Sequence, residues 1–361
     1  MDILQATERY EGWLASKTPL IERDLRWKHR EMRKHAFAFL RATFYRWAQQ
    51  WPATCRGLRS GPFVLSVGDL HVENFGTWRD AEGRLIWGVN DFDEAYWLPM
   101  AHDLVRLATS AQLADGIRLS HRAIARAIVR GYRRGLERGG LPYVLGEHHT
   151  ELRALALGRL KNPEKYWRKL CRWPEAEQPI PQGARMGVGD LMPAPDLPWR
   201  IVHRRAGLGS LGRPRFTVIA DWAGGKIARE AKALAPSAWA WASAGEAPRR
   251  RLHREILARA VRCPDPFVRI RSRWILRRLA PDCSRIELES LAAGQDQRRL
   301  LEAMGAETAN IHLGSAKARR LLRHLGGLPG SWLQDAASEM ADVVRADWKR
   351  FRDAAPGMIR A

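Results

Sequence analysis

The sequence contains few cysteines, no long apolar run and comparatively few acidic residues. Its four cysteines (Cys55, Cys171, Cys263 and Cys283) are far apart and form no CxxC pair. This pattern excludes a dense disulfide framework and a thiolate zinc site, and is typical of a reducing cytoplasm. No apolar run approaches the roughly 18 residues of a membrane span. The first residues, MDILQATERYEGW, include acids and no apolar core of a leader, so we expect no signal peptide and a cytoplasmic protein.

The shortage of acids leaves a strongly basic chain. Its 361 residues include 61 Lys and Arg against 39 Asp and Glu, a formal net charge of +22. Such a protein attracts polyanions, so non-specific polyanion binding is expected. Apolar residues make up 45% of the sequence, which is typical of a folded chain with a sizeable core.

The first half of the chain alternates between helical patterns and short apolar runs. The periodicity predicts a helix over 20–50, strands over 63–67 and 84–90 joined through the turn RDAEG, and a helix that begins after Ser120 and stops at the glycine pair following Arg138. We expect the two strands to be neighbours, with their polar ends close together.

A stretch rich in Pro and Gly, residues 172–200, predicts a boundary. Strand-like runs follow it, interrupted by one helix over about 236–262, and the remainder from 295 is helical. We therefore expect an α+β chain of three parts: 1–175 with N-terminal helices and a catalytic loop, 196–282 as a small β-rich lobe, and 283–361 as C-terminal helices.

Ionisable side chains follow the two strands of the first part. Asp69 comes after the run FVLSV and a glycine, Asn74 lies five residues later, and Asp91 ends the second strand. Carboxylate and amide oxygens are the ligands that Mg²⁺ prefers. With Asn74 and Asp91 on the metal, Asp69 is left to accept a proton from a substrate hydroxyl, which is the catalytic end of a phosphotransferase.

The ordered set GDLHVEN, NDFDEA and LPMAHDLVRLA resembles the signature of aminoglycoside phosphotransferases and choline kinases, the small-molecule branch of the protein-kinase-like fold. The resemblance implies that Asp69 is the catalytic base, that His71 orients the loop, and that Asp103 is a structural acid. Asn74 and Asp91 resemble the magnesium ligands.

Two of these assignments have alternatives. Asp93 competes with Asp91 for the metal, and Asp91 is preferred because it directly precedes Phe92. GDLH also resembles the start of binuclear metallophosphatases, but the later GNH[ED] block of that fold is missing from the sequence.

A glycine-rich segment, RRAGLGSLGRPRF, follows the predicted boundary. Gly207, Gly209 and Gly212 have the G-x-G-x-x-G spacing, with Ser210 between them. Glycines let backbone N–H groups approach phosphates closely. A strand-like run follows where a Rossmann site would need a helix, so strand–loop–strand, the kinase arrangement, is expected.

The basic partner of the nucleotide phosphates is expected in AGGKIAREAKAL. Lys226 and Arg229 lie on opposite faces of a strand, so only one can point inward. Alignment with kinase-like enzymes favours position 229, where an arginine replaces the usual lysine and changes the geometry. Glu246 and Glu255 are candidates for its ion-pair partner.

The chain as a whole resembles a bacterial family known as domain of unknown function 2252. The shared segments include KHREMRKHAFAFLRATFYRW, GDLHVENFG, NDFDEA, GLGSLG and RRLAPDCSRIEL, in this order. Because the glycine loop follows the catalytic loop, the resemblance to kinases implies a circularly permuted, two-lobed fold. The arginines of the last segment, Arg277, Arg278 and Arg285, are candidates to meet an acidic or phosphorylated acceptor.

The expected function is an ATP- and Mg²⁺-dependent phosphotransferase acting on a small-molecule hydroxyl. The alternatives are a nucleotide-binding protein without catalysis, suggested by Arg229, and a nucleic-acid-binding protein, suggested by the basic runs and 16 Trp.

Overall fold

The computed structural model describes residues 1–146, 149–157, 160–244, 252–283 and 294–354. The helices are α1 (Ile3–Ala15), α2 (Glu22–Lys34), α3 (Ala36–Ala42), α4 (Phe44–Thr54), α5 (Ala101–Leu113), α6 (His121–Glu137), α7 (Thr150–Leu157), α8 (Pro163–Cys171), α9 (Gln182–Gly189), α10 (Ala238–Ala242), α11 (Leu252–Arg259), α12 (Gln295–Leu313), α13 (Ala318–Gly326) and α14 (Trp332–Asp353). The strands are β1 (Phe63–Ser66), β2 (Phe75–Arg79), β3 (Leu85–Val89), β4 (Tyr96–Pro99), β5 (Tyr143–Val144), β6 (Arg200–Val202), β7 (Arg215–Trp222), β8 (Gly225–Ala233), β9 (Arg269–Arg271) and β10 (Trp274–Leu279). The expected α+β class is confirmed, with small antiparallel sheets.

The helix expected over 20–50 is three helices, α2, α3 and α4. His35 is extended (φ −160°), and its Nδ1 accepts a hydrogen bond from the backbone N–H of Ala38, which begins a new helix. At the next break, the Thr43 hydroxyl donates to the carbonyl of Phe39, four residues back. Side chains that bond to nearby backbone compete with a continuous helix, which apolar periodicity alone does not reveal.

The pairing of the first strands differs from the expectation. β1 pairs with β4, whereas β3 pairs with β2, a strand that the pattern did not predict, and with β5. The turn between β2 and β3 is held by Asp80, whose Oδ1 accepts from the backbone N–H groups of Glu82 and Arg84. A two-stranded sheet, β1-β4, and a three-stranded sheet, β2-β3-β5, therefore replace the predicted single pair.

The second half of the chain contributes a five-stranded antiparallel sheet in the order β6-β7-β8-β10-β9. One face is apolar, with Phe216, Val218, Ala231 and Leu276 packed on α9. The residues that alternate with these along each strand form the other face. They include Thr217 and Glu230, both fully buried. The two faces of the sheet thus have different chemistry.

The largest core joins the N-terminal helices with α5, α6, α12, α13 and α14. α6 and α12 pack at glycines, because a methyl group at Gly131 would lie 1.8 Å from the carbonyl oxygen of Glu302, and one at Gly305 would lie 2.2 Å from that of Ile128. Ala238 of α10 and Ile256 of α11 also join this core. In the described part of the chain, no helix has the length and apolarity to cross a membrane.

Candidate functional site

The loop that follows β1 is held in place by Asp103, which lies in the first turn of α5. Its carboxylate accepts hydrogen bonds from the backbone N–H groups of Val67 (2.7 Å) and Gly68 (3.0 Å). Gly68 has a φ of +81°, and a methyl group there would lie 2.2 Å from the carbonyl oxygen of Glu94, so the turn requires glycine. These contacts set the direction in which Asp69 leaves the strand.

Asp103 is itself held by two histidines. His312 Nε2 lies 3.2 Å from one carboxylate oxygen and His102 Nδ1 lies 3.4 Å from the other. Burial raises the pKa of Asp103, but the hydrogen bonds from His102 and His312 outweigh that effect and hold it below its usual range. Asp103 therefore stays ionised and is a positioning residue for the loop.

Asp69 is paired with Arg106, a residue that the sequence analysis missed. Arg106 Nε donates to Asp69 Oδ1 at 3.0 Å, and its Nη2 donates both to the same oxygen and to the Leu40 carbonyl. Burial raises the pKa of Asp69, and the Arg106 charge opposes that rise. The available signal was the spacing, since Arg106 lies three residues after Asp103 on one face of α5.

His71 and Asn74 define the turn that follows Asp69. The backbone N–H of His71 donates to Asn74 Oδ1 (3.2 Å), and the backbone N–H of Glu73 donates to His71 Nδ1 (3.2 Å). The His71 ring also packs edge-on against Phe37. Both side chains thus shape the loop, and both line the central cavity described below.

Asp91 and Asp93 follow β3 and approach the same place, since the Asn90 N–H donates to the Asn74 carbonyl at 3.0 Å. Asp93 is nearly buried and pairs with Lys232 (2.8 Å) and Arg213 (3.2 Å). Burial raises the pKa of Asp93, but the charges of Lys232 and Arg213 outweigh it and hold the pKa far below its usual range. The Asp91 side chain is 36% exposed and lies 3.5 Å from Lys232, so Asp91 is the more accessible ligand.

The glycine-rich segment lies between β6 and β7 and contacts the loop of Asp69. A methyl group at Gly209 would lie 2.8 Å from the Arg41 carbonyl oxygen and 3.6 Å from Asp69 Oδ2. Gly207 and Gly212 have φ values of +72° and +95°, which favour glycine. Ser210 Oγ donates to the Gly207 carbonyl and accepts from Arg215. The segment therefore covers the acid.

The structure does not bring Lys226 or Arg229 to the cavity. Lys226 pairs with Asp221 (2.6 Å) at the end of the β7–β8 hairpin. Arg229 points to the opposite face, where it donates to the Leu191 carbonyl (2.9 Å) and stacks on Phe267. By alternation, the residue of β8 that reaches the acids is Lys232, three positions beyond Arg229.

Two candidates from the sequence lie outside the described residues: Glu246, a possible ion-pair partner of the basic residue on β8, and Arg285, a possible contact of the acceptor. Glu255 pairs within its own helix with Arg259, at 3.2 Å. The segment expected to be one helix over 236–262 is described as two, α10 and α11.

These elements surround one cavity of about 690 Å³. Its lining includes the predicted site residues Asp69, His71, Asn74, Asp91, Asp93, Gly207, Gly209 and Ser210. The wall beside Asp69 also holds Tyr10, Tyr45 and Glu94. Burial raises the pKa of Glu94 to about 7, opposed by Arg213. Nothing in the sequence pattern had marked Tyr10 or Glu94 as members of a site.

The donor set fits Mg²⁺ only in part. Within the described ranges, no group of three or more His, Cys, Asp or Glu side chains is arranged to hold a metal. Mg²⁺ usually takes one or two carboxylates and completes its shell with water and substrate phosphates. Asp91 and Asn74 fit that mode, whereas a metal held by protein ligands alone does not fit.

Comparison with known proteins gives one match. No curated protein and no solved structure matches the chain. Residues 20–145, which include the loop of Asp69 and the segment of Asp91, match the model of a family described as an uncharacterized protein conserved in bacteria, DUF2252.

Proposed function

We propose that the protein is an ATP- and Mg²⁺-dependent phosphotransferase that acts on a small-molecule hydroxyl. The observation that carries the proposal is the contact between two segments 140 positions apart, with Gly209 covering Asp69 Oδ2 in the cavity lined by Asp91. Kinase-like phosphoryl transfer uses a glycine-rich cover for phosphates, a metal-binding acid and a group that accepts the proton of the hydroxyl. This cavity has a candidate for each.

In this proposal Asp69 accepts the proton of the acceptor hydroxyl while the hydroxyl oxygen bonds to the γ-phosphorus and ADP leaves. Arg106 occupies Oδ1, so Oδ2, which faces Gly209, is the oxygen that takes the proton. Asn74 and Asp91 would hold Mg²⁺, which neutralises phosphate charge. Lys232 and Arg213 add positive charge at the same wall.

The order of the segments supports a permuted kinase-like arrangement as part of the proposal. The loop of Asp69 and the segment of Asp91 come first in the chain, and the glycine segment and Lys232 follow on the five-stranded sheet. Kinase-like enzymes have a lysine where this chain has Arg229. Lys232, from the same strand, lines the cavity and can take the role of that lysine.

The test is calorimetric titration of Mg²⁺–ATP into the wild type and Asp91→Ala at near-physiological salt. We expect saturable binding in the wild type and at least tenfold weaker binding in the variant, because one metal ligand is lost. Equal binding of ATP by both proteins, with or without Mg²⁺, would contradict the proposal. Asp69→Asn should then keep the nucleotide affinity and lose transfer in an acceptor screen.

A second candidate is a nucleotide-binding protein without transfer. The observation that favours it is the pair of hydrogen bonds from Arg106 to a single oxygen of Asp69, which opposes the rise that burial gives to the pKa of that carboxyl group. Asp91-dependent Mg²⁺–ATP binding without turnover on any hydroxyl acceptor would select this candidate.

A further inference from the structure

The sheet wall of the cavity contains an unusual set of buried charges. Glu230 of β8 is fully buried and accepts hydrogen bonds from Arg215 (2.5 Å), Arg277 (2.6 and 2.8 Å) and Arg204 (2.7 Å). We call Arg204, Arg215 and Arg277 the arginine cluster. Its three members line the cavity, whereas ligand pockets are lined mainly by apolar side chains.

The arginine cluster has more positive charge than the described residues in contact with it neutralise. Among the described residues, Glu230 is the only acid in ion-pair contact with its three guanidinium groups. Arg277 also interacts electrostatically with Asp91 and Asp93. These two acids already form ion pairs with Lys232 and Arg213. Burying unpaired charge is costly, so an anion beside this cluster would be stabilised.

Donor groups remain available for such an anion. Arg204 uses only Nη1 for Glu230, and Arg277 uses Nε and Nη2. Within the part of the chain that the structure describes, the other nitrogens of these two side chains have no hydrogen-bond partner. Their side chains are 24% and 27% exposed, so a ligand in the cavity can reach them. Arginine is the side chain best suited to bidentate phosphate binding.

Two members of the arginine cluster, Arg204 and Arg277, meet at Glu230 and not at Lys232, whereas Arg215 is the cross-strand partner of Lys232. Glu230 and Lys232 are two residues apart on one face of β8, a spacing of roughly 7 Å along a strand. The cavity therefore has two cationic positions on one wall, one at the acids that follow β3 and one at Glu230.

We propose that the arginine cluster is an anion subsite that binds a phosphate group of the ligand. The cavity then takes a molecule with phosphates at two positions, one at Lys232 and one at Arg204 and Arg277. This inference deepens the proposed function and rests on it for the identity of the cavity as a phosphate site. The second phosphate belongs either to the donor chain or to a phosphorylated acceptor.

The probe is inorganic triphosphate, titrated calorimetrically without Mg²⁺ at near-physiological salt. Arg277→Gln should weaken its binding about tenfold or more, because a charge-assisted hydrogen bond is lost. The matched control is Arg126→Gln, which removes the same charge from the exposed face of α6 and should change the affinity less than about twofold. Equal affinities for the two variants would overturn the inference.

Arg204→Gln provides a second variant if Arg277→Gln does not fold, and it should weaken binding in the same direction. Asp91→Ala separates the two proposals, since it should impair Mg²⁺–ATP binding but not Mg²⁺-free triphosphate binding. Orthophosphate added to protein saturated with Mg²⁺–ADP identifies the source of the phosphate. Arg277-dependent binding under that condition indicates a phosphorylated acceptor, and competition with ADP indicates the donor chain.

Discussion

The two walls of the cavity differ in how their charges are compensated. On the helical wall, Asp69 has Arg106, and behind the loop of Asp69 the buried Asp103 has two backbone N–H groups and two histidines. On the sheet wall, three guanidinium groups share Glu230. The charges of the helical wall are thus compensated by protein groups alone. The sheet wall has more positive charge than its described partners compensate, and a bound anion would offset that excess. Substitutions on the two walls should therefore respond differently to anions.

The largest effect is expected behind the helical wall, for Asp103→Ala, because Asp103 holds the loop that carries Asp69. The variant leaves two buried backbone N–H groups and His312 without their acceptor, which should cost about 3–5 kcal/mol of unfolding free energy. Urea denaturation measures it. Asp115→Ala, an exposed acid in a loop, should stay within about 0.5 kcal/mol of the wild type, and a similar small loss for Asp103→Ala would contradict the assigned role.

At the sheet wall, Glu230→Gln should cost about 3 kcal/mol, because three arginines lose their common partner. The two walls can then be compared by repeating the thermal unfolding of both variants with inorganic triphosphate. The ligand should raise the Tm of Glu230→Gln more than that of Asp103→Ala, since the binding of an anion stabilises the folded state. Equal shifts would remove the proposed difference between the walls.

Glu307, a buried acid behind β3, tests whether the acids outside the sheet wall are all ionised in the folded state. Burial raises the pKa of Glu307 from 4.5 to about 7, opposed by Arg262. The folded state therefore holds a proton that the unfolded state has lost, and stability falls as the pH rises from about 4.5 to about 7.

Glu307→Gln cannot lose that proton. Between pH 5 and pH 8, its unfolding free energy should therefore rise by about 2 kcal/mol relative to the wild type. Denaturation at the two pH values measures this change, and the exposed Glu8→Gln should show none. A flat difference for Glu307→Gln would mean that the carboxylate is already ionised when folded.

Sequence patterns predicted the elements and the loop, but not which side chains meet. Apolar periodicity indicated α6 and β7, and the spacing of GDLHVEN and NDFDEA led to Asp69 and Asp91, which do line one cavity. The pairing of β1 with β4 depends on contacts distant in sequence and was missed. Of the cluster at Glu230 only Arg277 was a candidate, because its three arginines come from separate strands and a loop in a chain with 61 basic residues.

The choice of Lys226 or Arg229 illustrates the same limit. The period of two correctly placed those residues on opposite faces, yet the cavity is reached by Lys232, which shares the face of Glu230. Only the register of β8 against β7 and β10 determines which part of the face lies over the acids.

The smallest expected effect is at Gly209, where the two walls meet. A methyl group there would lie 2.8 Å from the Arg41 carbonyl oxygen, closer than a carbon atom normally approaches, so Gly209→Ala should move the glycine segment away from Asp69. Gly225→Ala at the β7–β8 hairpin is the matched control, since its methyl group has ordinary space.

We expect Gly209→Ala to weaken Mg²⁺–ATP binding roughly fivefold, equivalent to about 1 kcal/mol, with little change in Tm because the displaced segment is short. Calorimetry measures the affinity. Triphosphate binding without Mg²⁺ should change less, because the arginine cluster keeps its hydrogen bonds to Glu230. Gly209→Ala could instead weaken the binding of Mg²⁺–ATP and of triphosphate equally. The glycine segment over Asp69 and the arginine cluster at Glu230 would then form a single phosphate site, and the two walls would differ in their contribution to stability but not in ligand binding.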